Sequence, residues 1–130
     1  MEEKSTSLSA GLAVYAMLSA DEAVSSAARK VFPIATDEAE LPYIAYRRLS
    51  MAQDPVKHGW PGADTVRVQV SCFTASYAEG IRLAESVRRA LDGKRYRKEG
   101  IDVRSCVLSD ASEDWQDDAF VQHLIFDIKV

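Results

Sequence analysis

Asp110, Ser112 and Asp114 stand at the first, third and fifth places of a calcium-binding loop, in a chain of 130 residues. Such a loop also needs a glycine at its sixth place for the sharp turn and a bidentate glutamate at its twelfth. Trp115 and Val121 stand there instead. The run Ser109 to Asp118 therefore reads as a solvated acidic loop. The two imidazoles, His58 and His123, have no Cys, His or Glu nearby at zinc-ligand spacing. There is no G-x-S-x-G elbow and no Ser-x-x-Lys, and Gly59 and Gly62 flank Trp60-Pro61 with no helix after them to complete a phosphate cradle. With neither a nucleophile nor an acid-base pair to nominate, the expectation is a protein that is not an enzyme, with no catalytic residue, cofactor or metal.

Binding chemistry has better candidates. Lys94, Arg95, Arg97 and Lys98 are interleaved with Tyr96, and cations beside an aromatic ring can meet phosphates and a base. The same charges also suit a solvated turn behind a helix C-terminus. The formal charge is -4, from 16 basic and 20 acidic residues, which lacks the basic excess of a dedicated duplex binder. Trp60 and Trp115 fall in the two longest expected loops, where each ring either folds back onto the core rim or anchors a partner. With His58, Asp114 and the strand residue Arg47 they form the candidate protein interface.

These residues must be held by a small number of elements. Leu8, Leu12, Tyr15 and Leu18 recur at helical spacing from Ser7 to about Ser19, with Leu8, Leu12 and Tyr15 expected to face the core and Ala10, Ala13 and Ala16 keeping the helix thin. Asp21 is placed to cap a short second helix that runs to about Arg29 and stops by Pro33. Leu41 to Ser50 alternates as a strand, with Ile44, Tyr46 and Arg48 on one side and Tyr43, Ala45, Arg47 and Leu49 on the other. Met51 to Asp64, rich in Pro and Gly, reads as a long loop. Val66, Val68, Val70 and Cys72 mark a strand wet on its other face. Ser76 and Glu79 then form a capping box for a helix with Leu83, Val87 and Leu91 inward and Gly93 as its C-terminal stop. Ile101 to Cys106 and Phe120 to Val130 complete the strands, the latter with Phe120, Leu124, Phe126, Ile128 and Val130 on one face. The sum is one α+β domain over residues 1–130, with about four strands in a mixed or antiparallel sheet and helices packed on one face.

Hydrophobic content of 47% is enough for a core without staples. Cys72 and Cys106 have no CxxC spacing and read as small buried side chains of a reduced, cytoplasmic chain. No stretch is long enough to span a bilayer, and the N-terminus fails as a signal peptide.

Taken in order, the pieces resemble a known family. They are Leu12-Ala13-Val14-Tyr15-Ala16-Met17-Leu18 with Ser19-Ala20-Asp21, Val31-Phe32-Pro33, Leu41-Pro42-Tyr43-Ile44, Val66 to Phe73, Ser76-Tyr77-Ala78-Glu79-Gly80, Val87 to Leu91 and Leu124 to Ile128. This series is similar to the tail-completion, or tail-terminator, proteins of long-tailed phages, prophages and gene transfer agents. The resemblance implies a structural virion protein, found at the head-proximal end of the tail and assembled in the bacterial host cytoplasm. Its expected partners are further copies of itself in a ring of six, the tail tube protein, and a head-tail connector or stopper. DNA would pass through the channel without specific binding. The residues themselves leave two other classes open, a small nucleic-acid-binding module that uses Lys94 to Lys98 and a monomeric adaptor.

Overall fold

Alternation of apolar residues places the sheet. Val66, Val68, Val70 and Cys72 are fully buried along β3 (Thr65–Thr74), which pairs antiparallel with β2 (Tyr43–Ala52) on one flank and β7 (Ala119–Lys129) on the other. Beyond these, β1 (Lys30–Pro33) joins β2 in parallel and β6 (Ser105–Gln116) joins β7 antiparallel. This computed structural model, which describes residues 7–28, 30–34, 40–53, 64–98 and 100–130, thus holds a mixed five-stranded sheet of order β1-β2-β3-β7-β6. A separate two-stranded sheet pairs β4 (Tyr96–Lys98) with β5 (Ile101–Val103). Helices α1 (Ala10–Ala20), α2 (Glu22–Ala27) and α3 (Tyr77–Leu91) complete the α+β fold. The fifth strand is β1, whose Val31-Phe32-Pro33 continues the chain where a stop was expected.

The helix α3 carries the start and stop expected of it. The backbone N–H of Glu79 donates to Ser76 Oγ at 3.2 Å, and Gly93 takes the left-handed conformation, φ 76°, just past the helix end. Leu83, Val87 and Leu91 are buried against the sheet together with Phe126 and Ile128. Gly80 permits the closest approach, because a Cβ there would sit 2.9 Å from Thr74 Oγ1 on β3. The short helix α2 is capped by Asp21, whose Oδ1 accepts from Val24 N–H at 3.0 Å.

The first helix faces the other way from the expectation. Ala10, Ala13, Val14 and Leu18 are completely buried, whereas Leu8, Leu12 and Tyr15 are 57%, 62% and 45% exposed. Both sides of this helix are apolar, so periodicity alone could not choose between them. Close packing chose: alanines let the helix lie near the sheet, with Gly11 only 3.7 Å from the Tyr46 ring when given a Cβ. Leu8, Leu12 and Tyr15 are left as an outward stripe.

Two further corrections follow from long-range pairing. The expected loop from Ser109 to Asp118 is mostly strand: residues through Gln116 continue β6 in register with β7, past an irregularity between Leu108 and Asp110. Only Asp117 and Asp118 turn, both at positive φ (49° and 60°), the two-residue hairpin geometry that matches strand twist. The expected strand from Ile101 to Cys106 is divided at Arg104, whose N–H donates to Lys129 O at 2.8 Å. Ile101 and Val103 are buried before the break and Cys106 after it, so the alternation changes phase there.

Candidate interaction surfaces

The helices cover one face of the sheet and leave the other to its own side chains. On that outer face Arg47 of β2, Gln69 and Ser71 of β3, and His123 of β7 lie beside one another, in register as Arg47 with Gln69 and Ser71 with His123. Together with Ile34, Ala45, Phe73 and Gln116 they line a shallow depression of about 250 Å³. Gln69 Nε2 donates to Ser71 Oγ at 3.2 Å, and Ser71 Oγ lies 2.7 Å from His123 Nδ1. With Gln69 donating to it, the serine hydroxyl keeps both its proton and a second lone pair for Nδ1, so the contact holds with either neutral tautomer of the ring. Burial holds the His123 pKa below its ordinary value, with Asp114 pulling it up and Arg47 pushing it down.

A serine and an imidazole in contact suggest a nucleophile with its base, yet this pair is arranged for packing. Ser71 is buried and already hydrogen-bonded twice, and no hydrogen bond among the described residues links His123 to Asp114. Cys72 and Cys106 are free and buried, with each thiol pushed up to about 12 mainly by burial. Among the described residues no group of three His, Cys, Asp or Glu side chains could hold a metal.

The expected interface residues divide among several places. Arg47 and Asp114 both act on His123, so the fold brings them to the same outer face. Trp115 points to the helix side at the far end of β6, stacked edge-on to Phe120 at 4.7 Å, and remains 53% exposed. Beside it, Glu113 accepts from Tyr77 Oη at 2.8 Å and from Gln122 Nε2 at 2.9 Å. Those two bonds, Gln122's foremost, hold its carboxyl below the usual range and tie β6 to the start of α3. Trp60 and His58 lie outside the described residues.

The basic run was expected as a turn, but Arg97 and Lys98 belong to strand β4, with Lys94 and Arg95 leading into it. Ile101 and Val103 of β5 bury their side chains in the core and leave the cations outward. Arg95, Tyr96, Arg97, Asp102, Val103 and Arg104 line a hollow of about 510 Å³ on this small sheet. Arg104 was not among the candidates, although its place in the alternation with Asp102 already set it on the wet side.

Sequence reasoning also missed the stripe of Leu8, Leu12 and Tyr15, having assigned it to the core. Ile34 was missed too: it is 71% exposed with φ 65°, a conformation that a β-branched residue adopts only under strain.

Residues 12–130 match the family described as Tail completion protein gp17. Among solved structures the fold is similar to a chain in the "Virion of native gene transfer agent (GTA) particle", with TM-score 0.73 and 20% identity, over 96% of this chain and 98% of that one. It is also similar to the bacteriophage SPP1 gp17 protein, with TM-score 0.58 and 17% identity, over 95% and 89% of the two chains. No curated protein matches it in sequence.

Proposed function

The chain belongs to the Tail completion protein gp17 family of phage tail structural proteins, and from that premise we propose that it forms a hexameric ring capping the head-proximal end of a tail tube. The ring ends tube polymerisation on one side and offers a docking face to the head-tail connector on the other. It forms in the host cytoplasm and stays in the virion tail. The family match over 119 of the 130 residues, from 12 to 130, carries this reading.

The surfaces fit it. The five-stranded sheet ends in two edge strands, β1 and β6, and neighbours in a closed head-to-tail ring would cover such edges while stopping further growth. The stripe of Leu8, Leu12 and Tyr15 and the exposed Trp115 supply apolar contact area at separate places, as a subunit with several partners needs. A chain of net charge -4 would line a channel through which DNA slides without being held. The direct test is tail length: particles assembled without this protein should carry overgrown, headless tails, and tails of normal length joined to heads would refute the proposal.

A further inference from the structure

The two ends of strand β6 carry opposite charge. Its start adjoins the β4–β5 hairpin, and the stretch 94–104 carries Lys94, Arg95, Arg97, Lys98 and Arg104 against two acidic residues in sequence, Glu99 and Asp102. Its far half and turn, Ser109 to Asp118, hold Asp110, Glu113, Asp114, Asp117 and Asp118 with no lysine or arginine. None of these cations or carboxylates enters the ion pairs formed among the described residues, which join Arg67 to Asp127, Arg88 to Asp92 and Arg89 to Glu85.

Within one copy the two patches cannot neutralise each other. A strand rises about 3.3 Å per residue, so Asp110 and Asp114 lie roughly 20 Å and roughly 33 Å along the strand from Arg104, at least twice the screening length of about 8 Å at physiological salt.

The edge of β6 differs along its length in the same way. Near its start the chain covers its own edge: Gly93 N–H donates to Cys106 O at 2.7 Å, and Leu108 N–H donates to Asp92 Oδ1 at 3.0 Å. Farther on, among the described residues only side chains of the strand itself do so, Asp110 Oδ1 accepting from Ala111 N–H at 2.8 Å and Asp114 Oδ1 from Trp115 N–H at 2.7 Å. A carboxylate that occupies an edge donor takes it away from a pairing strand and favours a cationic partner.

We propose that the acidic half of β6 on one copy docks into the basic hollow of the β4–β5 hairpin on the next. The proposal rests on the ring reading above and names the surfaces that close the ring. The occupant is a second copy because this chain carries both halves of the match. An edge strand and turn with five carboxylates meets a hollow lined by Arg95, Arg97 and Arg104, with Lys94 and Lys98 adjoining it in sequence, and two unlike patches on one subunit are what a heterologous ring requires.

Charge reversal tests it on the full chain. Arg95→Glu with Arg97→Glu makes the hollow acidic, and Asp110→Lys with Asp114→Lys makes the strand basic; native mass spectrometry and light scattering report assembly at about 50 mM and about 500 mM salt. Each double variant alone is expected to lose the ring while keeping the thermal midpoint of the wild type. An equimolar mixture of the two is expected to regain it as alternating copies, which an even-numbered ring accommodates, and so is the chain carrying all four changes. A wild-type ring left intact by both reversals would overturn this pairing and spare the ring. A wild-type chain that is monomeric alone and with tail tubes would overturn both. Reversal of the hollow that abolishes duplex binding and leaves the ring whole would assign that surface to DNA instead.

Discussion

His123 shows how a single side chain can carry the pH response of this domain. Its pKa is lowered in the folded state, chiefly by burial, so below the ordinary value of 6.5 the unfolded chain takes up a proton that the folded chain resists. Stability should therefore fall as pH drops from about 7 toward 5, a window that opens above the one in which Glu113 is protonated. His123→Asn should flatten this part of the curve of denaturation midpoint against pH. An identical slope in wild type and variant would show that the imidazole is not held neutral. Trp115 poses a different question, since its ring is half exposed and its one aromatic contact is with Phe120. Trp115→Ala should cost the fold no more than about 1.5 kcal/mol, the scale of an aromatic pair, and should weaken assembly or tube docking more. A large drop in midpoint with unchanged assembly would place the ring in the core rim.

At the scale of the elements, the two long helices respond differently to the same substitution. Leu83→Ala empties a buried site on α3 and should lower stability by about 2–5 kcal/mol, whereas Leu12→Ala removes an outward side chain and should cost under about 0.5 kcal/mol. Equal losses in denaturant titrations would mean that the stripe on α1 is not outward. Gly80→Ala sets helix propensity, worth up to about 1 kcal/mol in favour of alanine, against a contact with the buried Thr74, whose Oγ1 donates to Ser76 O at 2.8 Å. Overpacking costs about 1–3 kcal/mol, so the variant should be less stable than wild type; a raised midpoint would refute the close approach.

What the sequence made legible was set by how local the cause is. The capping serine, the Leu83-Val87-Leu91 stripe and the Val66 to Cys72 alternation express contacts within a turn or one face, and the structure has them. The inward face of α1 was not legible, because Leu8, Leu12 and Tyr15 look more hydrophobic than the alanines that a close helix-sheet contact selects. The strand from Ser109 to Gln116 was hidden for a related reason. Its polar residues have no buried face to reveal a period of two, and its pairing partner, β7, lies across the turn. Asp117-Asp118 was the available signal, as a pair that tolerates positive φ. Among the candidate interface residues, the sequence found Arg47 and Asp114 singly and could not bring them together around His123.

The whole molecule is a sheet covered by helices on one face, with an apolar stripe on α1, a polar depression on the outer face and opposite charges at the ends of β6. All of these lie at the surface, whereas Ser71 and the two thiols are buried. Membership of a tail completion family gives those surfaces a common purpose in assembly. Electron microscopy of the purified protein mixed with its tail tubes tests that purpose most directly. Closed six-membered rings seated on one end of each tube are the expected result. Tubes with bare ends beside a protein that stays monomeric would contradict it.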